Sequence, residues 1–479
     1  MKRERKIKIL STLGPASSTE EMIEKLFRAG ADVFRINMSH ASHDTMRNLV
    51  KIIRNVEKKC GRPIGILADL QGPKLRVGTF KNTKEELKIG QTFTLDDKDV
   101  PGDNSRVYLP HPEILQSVKV GERLYVDDGK LQLMIEKCDG HSIVTKVIAG
   151  SYISDRKGVS LPDTELKVTA MTPKDHDDLR AVLTQEIDWV ALSFVQRPED
   201  ILEARKIIGD KMAIIAKIEK PQAVKRIREI VKVVDAIMVA RGDLGVECPL
   251  EDVPGIQLDL VNLCRREGKP VVVATQMLES MINSPMPTRA EVSDVANAIF
   301  QGADAIMLSA ESAAGKYPET AVATMDKIAR KVERDSNYPR IIHAGQAEPE
   351  STEGDAISLA AREISDTMEL PAIVAFTRSG STGLRISRER PAARILALSP
   401  LVETARRLAP VWGIHSVVTE DVDSVDEMAS RACDVAHSEG FAHEGKKVII
   451  TAGMPFGCSG TTNMLRIATV GANNAKKHK

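Results

Sequence analysis

Lys217, Glu219 and Asp243 are the residues of this chain best suited to do chemistry. They lie in MAIIAKIEKPQAVKRIREIVKVVDAIMVARGDLG (Met212 to Gly245), which reads as strand, helix, strand with an acid past the end of each strand. Glu219 follows the apolar run Ala213 to Ile215, and Asp243 follows Ala236 to Ala240. Strand ends of parallel α/β folds converge on one face, so carboxylates 24 positions apart in sequence can share one metal ion. Lys217 stands two residues before Glu219, on the same side of an extended strand, and presents a cation beside the acids. Two hard oxygen ligands suit Mg2+ or Mn2+ better than zinc, which favours His and Cys. The combination fits an anionic substrate held on a divalent ion. The plain structural alternative is a rim salt bridge from the acids to Lys217 or Arg241.

Arg35, Asn37 and Ser39 stand at i, i+2 and i+4, a polar comb facing one way on an extended strand. Such a comb is rare in a core; it describes either a hydrogen-bonded rim or a site for phosphate and a cation. Asp69, Thr275 and Ser309 with Glu311 end further apolar runs. The expected mouth therefore gathers Arg35, Asp69, Lys217, Glu219, Arg241, Asp243 and Glu311. Two loops stand apart: TRSGSTG (Thr377 to Gly383) and GMPFGCSGTTN (Gly453 to Asn463). The first opens a helix, where backbone N–H groups can cradle a phosphate or the loop can simply cap the helix.

These residues need an architecture that brings strand ends together. Lys6 to Thr12, Asp32 to Ser39 and Pro63 to Leu70 alternate with helical segments, a βαβαβ start. From 71 to 167 the pattern changes to short alternating runs (Gln91 to Leu95, Arg123 to Val126, Gln132 to Ile135, Ser142 to Ile148) between Gly and Asp turns, an all-β insertion read as a small barrel or sandwich. Thr172-Pro173 restarts the α/β rhythm as a helix cap, and five more strands follow. Three strands before the insertion and five after predict a closed (β/α)8 barrel from residues 1–70 and 168–340, with 71–167 as a lid. An open doubly wound sheet is the alternative, disfavoured because no GxGxxG turn follows the first strand. Residues 341–479 predict a polar linker (Gly345 to Gly354), then a smaller α/β unit with strands at Pro371 to Phe376, Arg394 to Leu398, His415 to Thr419 and Lys447 to Thr451.

Composition narrows the classes. Among 479 residues, 67 Lys plus Arg balance 67 Asp plus Glu, so no global field points to nucleic acid or an anionic membrane. Six scattered cysteines without a CxxC pair argue against zinc or a disulfide framework and fit a reducing compartment. No apolar run reaches the roughly 18 residues of a membrane span, and the basic N-terminus lacks a signal-peptide core. A soluble cytoplasmic protein is expected.

The segments IIAKIEKPQAV, MVARGDLGVE, ATQMLESM and PMPTRAEVSDVANAIFQGADAIMLSAES, with TLGPAS, RINMSH and DLQGPKLR, closely resemble the pyruvate kinase family, and the likeness runs over nearly the whole chain. It implies a barrel interrupted by a β lid and followed by a regulatory α/β domain. It also implies Mg2+-dependent phosphoryl transfer from phosphoenolpyruvate to ADP, giving pyruvate and ATP, in a homotetramer. By resemblance, Glu219 and Asp243 hold the metal and Lys217 stabilises the phosphoryl group in flight and the enolate. Arg35, Gly242, Thr275 and Ser309 complete the substrate site, and Asn37, His40, Arg76 and Lys157 border the nucleotide. Thr275 lies where the enolate is protonated, the proton donor being left open. Many members bind a monovalent cation through positions matching Asn37, Ser39, Asp69 and the Leu70 carbonyl, with a glutamate where this chain has Lys74. An ammonium there can stand in for K+, so activity without added K+ is expected. Thr377, Ser379, Ser381 and Thr382 match an effector loop for a sugar phosphate or nucleotide. The competing readings are a Mg2+-dependent lyase or aldolase of pyruvate-enolate type, and a non-catalytic metabolite sensor on a dead kinase scaffold.

Overall fold

Eight short runs of small and β-branched residues, apolar on both faces, form the centre of the molecule. The computed structural model describes residues 2–166, 168–345, 349–455 and 461–471. The runs are β1 (Lys8–Leu13), β2 (Val33–Asn37), β3 (Gly65–Asp69), β4 (Trp189–Leu192), β5 (Ala213–Ile218), β6 (Ala236–Ala240), β7 (Val271–Ala274) and β8 (Ala305–Leu308). All pair in parallel with their sequence neighbours, and β1 closes the barrel on β8, with Lys8 opposite Ala305 and Ser11 opposite Leu308. The open-sheet alternative is thereby excluded. Inward residues such as Leu10, Leu67, Ile215, Met238 and Met307 fill the interior, while Ile9, Ile66, Ile214, Ile237 and Ile306 pack beneath the outer helices. Burial on both faces is why these strands read as continuous apolar runs.

The helices start and stop where local chemistry dictates. Glu20–Ala29 is capped by the Thr19 hydroxyl, which accepts from Met22 N, and ends at Gly30, whose φ of 147° no β-carbon residue adopts easily. Pro173–Val182 starts in a reciprocal capping box between Thr172 and Asp175, with Pro173 in the first turn.

Between β3 and that helix lies a six-stranded sheet in the order Val159–Ser160, Arg123–Val126, Leu131–Cys138, Ser142–Ala149, Thr92–Asp96, Arg106–Tyr108. A two-stranded sheet of Lys84–Glu86 and Tyr152–Ser154 and one short helix, Pro112–Ser117, accompany it. The four strands of two or three residues are too short to carry a readable alternation. Phe93, Leu124, Leu133, Ile143 and Val147 give this insertion a core of its own.

After the barrel, the helix Tyr338–Ala344 leads out, and the expected polar linker falls partly on 346–348, outside the described residues. A five-stranded sheet follows: β9 (Ala372–Phe376), β10 (Arg394–Ser399), β11 (Ile414–Val418), β12 (Lys447–Ala452) and β13 (Met464–Thr469), ordered β11-β10-β9-β12-β13. The sequence did not suggest β13, an antiparallel edge strand. The unit docks on the base of the barrel through buried charge. Arg406 Nε donates to Glu57 Oε1 at 2.9 Å, Arg54 donates to Glu57 at 2.8 Å and to Asp188 at 2.7 Å, and Asp188 accepts Ile66 N at the start of β3.

Candidate active site

The C-terminal ends of β2 to β6 open into a cavity of about 370 Å³, roofed by Asp128 and Gly158 to Ser160 of the inserted sheet. Lys217 is at its centre. Its ammonium lies 2.8 Å from Glu219 Oε1, 3.4 Å from Asp69 Oδ1 and 2.8 Å from Ser193 Oγ. Burial alone would push this ammonium toward neutrality, but Asp69 and then Glu219 outweigh burial and hold its pKa well above the usual lysine value. Arg35 fixes Asp69 from the other side at 2.6 Å and is steadied by Thr12 at 3.1 Å. Burial is the largest influence on Asp69 and raises its pKa, yet Lys217 and Arg35 overcome it and keep the carboxyl below its ordinary range.

Glu219 stands one residue beyond β5, and its Oε2 accepts Phe194 N at 2.8 Å. That bond anchors a residue whose φ is +61°. Asp243 lies in the first turn of a short helix, Arg241–Glu247, that opens where β6 stops. It faces the cavity solvent from a recess, where burial and then the charge of Glu219 push its carboxyl up to about 6. A carboxyl whose proton affinity is raised by a second carboxylate in a polar cleft belongs to a donor set that a divalent cation would relieve. Glu247, four residues on, keeps a buried Oε2 without a hydrogen-bond partner while Oε1 meets Lys220 at 2.5 Å. These oxygens fit a hard metal ion; the described residues offer no cluster of three or more His, Cys, Asp or Glu arranged as a ready ligand set.

The remaining expectations divide. Arg35, Asn37, Ser39, Asp69, Leu70, Lys74 and Arg76 all line the cavity. The strand ends at Asn37, however, and Ser39 arrives through a turn in which its N–H donates to Asn37 Oδ1 at 3.0 Å. Thr275 and Ser309 stand outside the lining. Thr275, with φ of +70°, accepts Gly242 N at 2.7 Å and donates to Ala274 O at 2.6 Å, and Ser309 precedes the helix Ala310–Ala313 without a side-chain capping bond. His40 is exposed, and Lys157 is paired with Asp127 at 2.9 Å, its neighbour Gly158 reaching the cavity in its place.

Arg241 and Glu311 do not join the mouth. Arg241 turns away to Asp294 at 2.6 Å and Thr275 O at 2.7 Å, and Glu311 accepts Ser309 N and Leu278 N, because both brace backbone behind the strand ends. Ser193, Lys220, Glu247 and Asp128 line the cavity without having been singled out. Ser193 had a signal, a hydroxyl just past the fourth strand as Thr275 is past the seventh.

A model for "Pyruvate kinase, barrel domain" matches residues 4–322, and one for "Pyruvate kinase, alpha/beta domain" matches residues 355–468. The chain belongs to the pyruvate kinase family. A pyruvate kinase of Methylorubrum extorquens is 56% identical over 477 residues, covering 100% of both chains, and one of Agrobacterium vitis is 46% identical over 468 residues, covering 98% of this chain and 99% of its own. A crystal structure of a pyruvate kinase from Cryptosporidium parvum superposes with a TM-score of 0.91 at 32% identity, covering 97% of this chain and 96% of that one. Pyruvate kinase activity, with phosphoenolpyruvate and ADP as substrates and pyruvate as product, follows from this membership. The lyase and sensor readings fall behind it.

The family's smaller domain here carries the TRSGSTG loop as the start of helix Ser381–Arg388. Gly380, with φ of +95°, donates to Thr377 Oγ1 at 2.9 Å, and Ser379 donates to Ser381 at 3.1 Å. Thr377 and Thr382 are buried, whereas Ser379 and Ser381 face a cavity of about 400 Å³ against the barrel base. Residues 456–460 of the GMPFGCSGTTN loop lie outside the described residues. No helix among the described residues is long and apolar enough to cross a membrane.

Proposed function

We propose that the cavity at the barrel mouth performs Mg2+-dependent phosphoryl transfer as the last step of glycolysis. The single observation that supports this reading is the convergence of Lys217, Glu219, Asp69, Arg35 and Asp243 on one recess. Glu219 and Asp243 would hold Mg2+ or Mn2+, which when bound neutralises the phosphate and carboxylate of phosphoenolpyruvate. Lys217, held charged by Asp69 and Glu219, faces the phosphoryl group as its bond to the enol oxygen breaks and a bond to the terminal ADP oxygen forms. The same ammonium stabilises the enolate left behind, which takes a proton at its terminal carbon to give pyruvate. Arg35 and Arg76 grip phosphates of the two substrates, with Gly242, Thr275 and Ser309 bordering phosphoenolpyruvate and Asn37, His40 and Lys157 the nucleotide. The inserted sheet above the recess keeps water from the phosphoryl group on closing.

Lys74 lines the recess with Asn37, Ser39, Asp69 and Leu70, and its ammonium takes the place of K+ in our reading. The loop from Thr377 to Thr382 binds a phosphorylated effector in a cytoplasmic homotetramer. Pyruvate formation from phosphoenolpyruvate and ADP with and without Mg2+, in K+-free buffer, tests the chemistry. Turnover that survives chelation of divalent ions overturns the metal assignment, and kinetics that stay hyperbolic and unaltered by sugar phosphates or AMP overturn the effector assignment.

A further inference from the structure

At the other end of the barrel from this recess is a cavity of about 750 Å³, walled by the segment before β1, the end of helix Pro318–Glu333, the helix Tyr338–Ala344 and the loop leading into β10. Its charges do not balance. Both Glu333 oxygens accept the Lys6 N–H, at 2.9 and 2.7 Å, and Oε1 also accepts Ile7 N at 2.8 Å, so this carboxylate holds the N-terminal segment. Glu4 is taken by Arg334 at 2.6 Å and Arg330 at 3.4 Å. Lys6 and Arg394 are left over: among the described residues neither forms a salt bridge. The Lys6 ammonium meets only the carbonyls of Pro391 at 2.9 Å and Ala392 at 2.8 Å, and Arg394 donates to the carbonyl of Glu4. Burial and then the charge of Arg394 bring the Lys6 ammonium down to about 8, the charge of Glu333 offsetting them only in part.

Neutral donors stand beside them. Trp412 is 1% exposed and Tyr338 5%, and beyond each other the indole Nε1 and the phenol oxygen have no hydrogen-bond partner among the described residues. With the indole N–H turned to the phenol oxygen, the phenol hydroxyl is the donor left over, and a buried donor without a partner costs about 1 to 3 kcal/mol. The Trp412 ring is also the surface over which the cations gather, with Lys6 Nζ 5.1 Å and the Arg390 guanidinium 4.7 Å from its centre. The volume lies in the range of pockets that enclose small metabolites, roughly 300 to 1,000 Å³.

We propose that this cleft binds a small organic polyanion, a phosphorylated or polycarboxylate metabolite, with its charged groups between Lys6 and Arg394 and its body against Trp412 and Tyr338. The site is separate from both the barrel mouth and the Thr377 to Thr382 loop. Its walls belong to the barrel and to the C-terminal unit alike, so an occupant ties the two together.

The chain has two tryptophans, and Trp412 reports on the cleft directly. The full-length protein is titrated with pyrophosphate, and separately with citrate, in magnesium-free buffer at constant ionic strength while tryptophan fluorescence is followed. The expected result is a saturable change with at least one probe, weakened at least about tenfold in Lys6→Gln and Arg394→Gln and retained in Arg394→Lys. It also persists in Ser381→Asp, which places a negative charge in the loop of the C-terminal unit. Circular dichroism checks that each variant is folded. Response to pyrophosphate alone identifies a phosphate-bearing ligand, and response to citrate alone a carboxylate-bearing one. No saturable change with either probe, equal affinity in wild type and both glutamine variants, or loss of the signal in Ser381→Asp overturns the proposal.

Discussion

Replacing Glu219 by Gln tests the recess most sharply, because this side chain does two separable things. Its Oε2 accepts Phe194 N at 2.8 Å, a bond an amide oxygen can keep, whereas Oε1 faces Lys217 at 2.8 Å, where an amide brings no negative charge. At 2.8 Å and an effective dielectric of about 20, the lost attraction is about 6 kcal/mol before solvation is counted. Lys217 keeps Asp69 at 3.4 Å and Ser193 at 2.8 Å, so the cost in folding stability is expected to be only about 1 to 2 kcal/mol. Catalysis is expected to lose more, since the variant lacks the ligand that our reading assigns to the metal and holds its ammonium less firmly. A drop in kcat/KM of about a thousandfold corresponds to about 4 kcal/mol of transition-state stabilisation. Initial rates of pyruvate formation give the first quantity, urea unfolding the second, and Mn2+ binding followed by electron paramagnetic resonance reports on the ligand set. A variant that turns over within about tenfold of wild type and binds Mn2+ equally well would refute the assignment of Glu219.

Three further outcomes are expected. Lys74→Glu should lower turnover in K+-free buffer by at least about tenfold and regain it with KCl, while wild type is indifferent to K+; equal K+ response of the two proteins removes Lys74 from the cation role. His415 is pushed down to about 4, chiefly by burial, so in acid the unfolded chain takes a proton there that the folded one refuses. Its stabilising contribution is therefore whole above about pH 6.5 and is lost as pH falls toward 4, about 2 kcal/mol of it by pH 5. His415→Leu should shrink the difference in urea midpoint between pH 7 and pH 5, and an unchanged difference assigns the acid sensitivity elsewhere. Arg406→Met strips a buried partner from Glu57, which keeps Arg54 at 2.8 Å, so about 2 kcal/mol of stability should go with room-temperature turnover intact; a loss of turnover without a loss of stability would contradict a purely structural clamp.

The barrel could be read from the sequence because its strands are buried on both faces and helical segments alternate with them, some marked by a visible stop, as at Gly30, or a visible start, as at Thr172 and Pro173. Lys217, Glu219, Asp69 and Arg35 were legible for the same reason: each lies at or just beyond a strand end, where position fixes direction. Ordering by strand end misled at Arg241 and Glu311, because the chain turns there and the side chains serve the turn itself. Glu247 was hidden by being one helical turn beyond Asp243, a spacing that matters only once Arg241–Glu247 is known to be helical. The strand β13 escaped because an edge strand pairs on one side only and Leu465 to Ile467 alternates too briefly to stand out.

The insertion leaves and rejoins the barrel almost at one point. Gly72, just after β3, donates its N–H to Asp175, in the first turn of the helix that follows the inserted sheet, at 3.1 Å. During synthesis this separates two schedules. All strands of the inserted sheet lie between Thr92 and Ser160, so the sheet can assemble on its own core as soon as that stretch leaves the ribosome. The barrel cannot close until Leu308 has emerged to meet Ser11, nearly three hundred residues after its partner was made. The first three strands therefore wait, incomplete and apolar on both faces, behind a finished neighbour. Nascent chains are most exposed to mispairing in that interval, and chaperone demand should rise with the delay before β8 and not with the presence of the insertion.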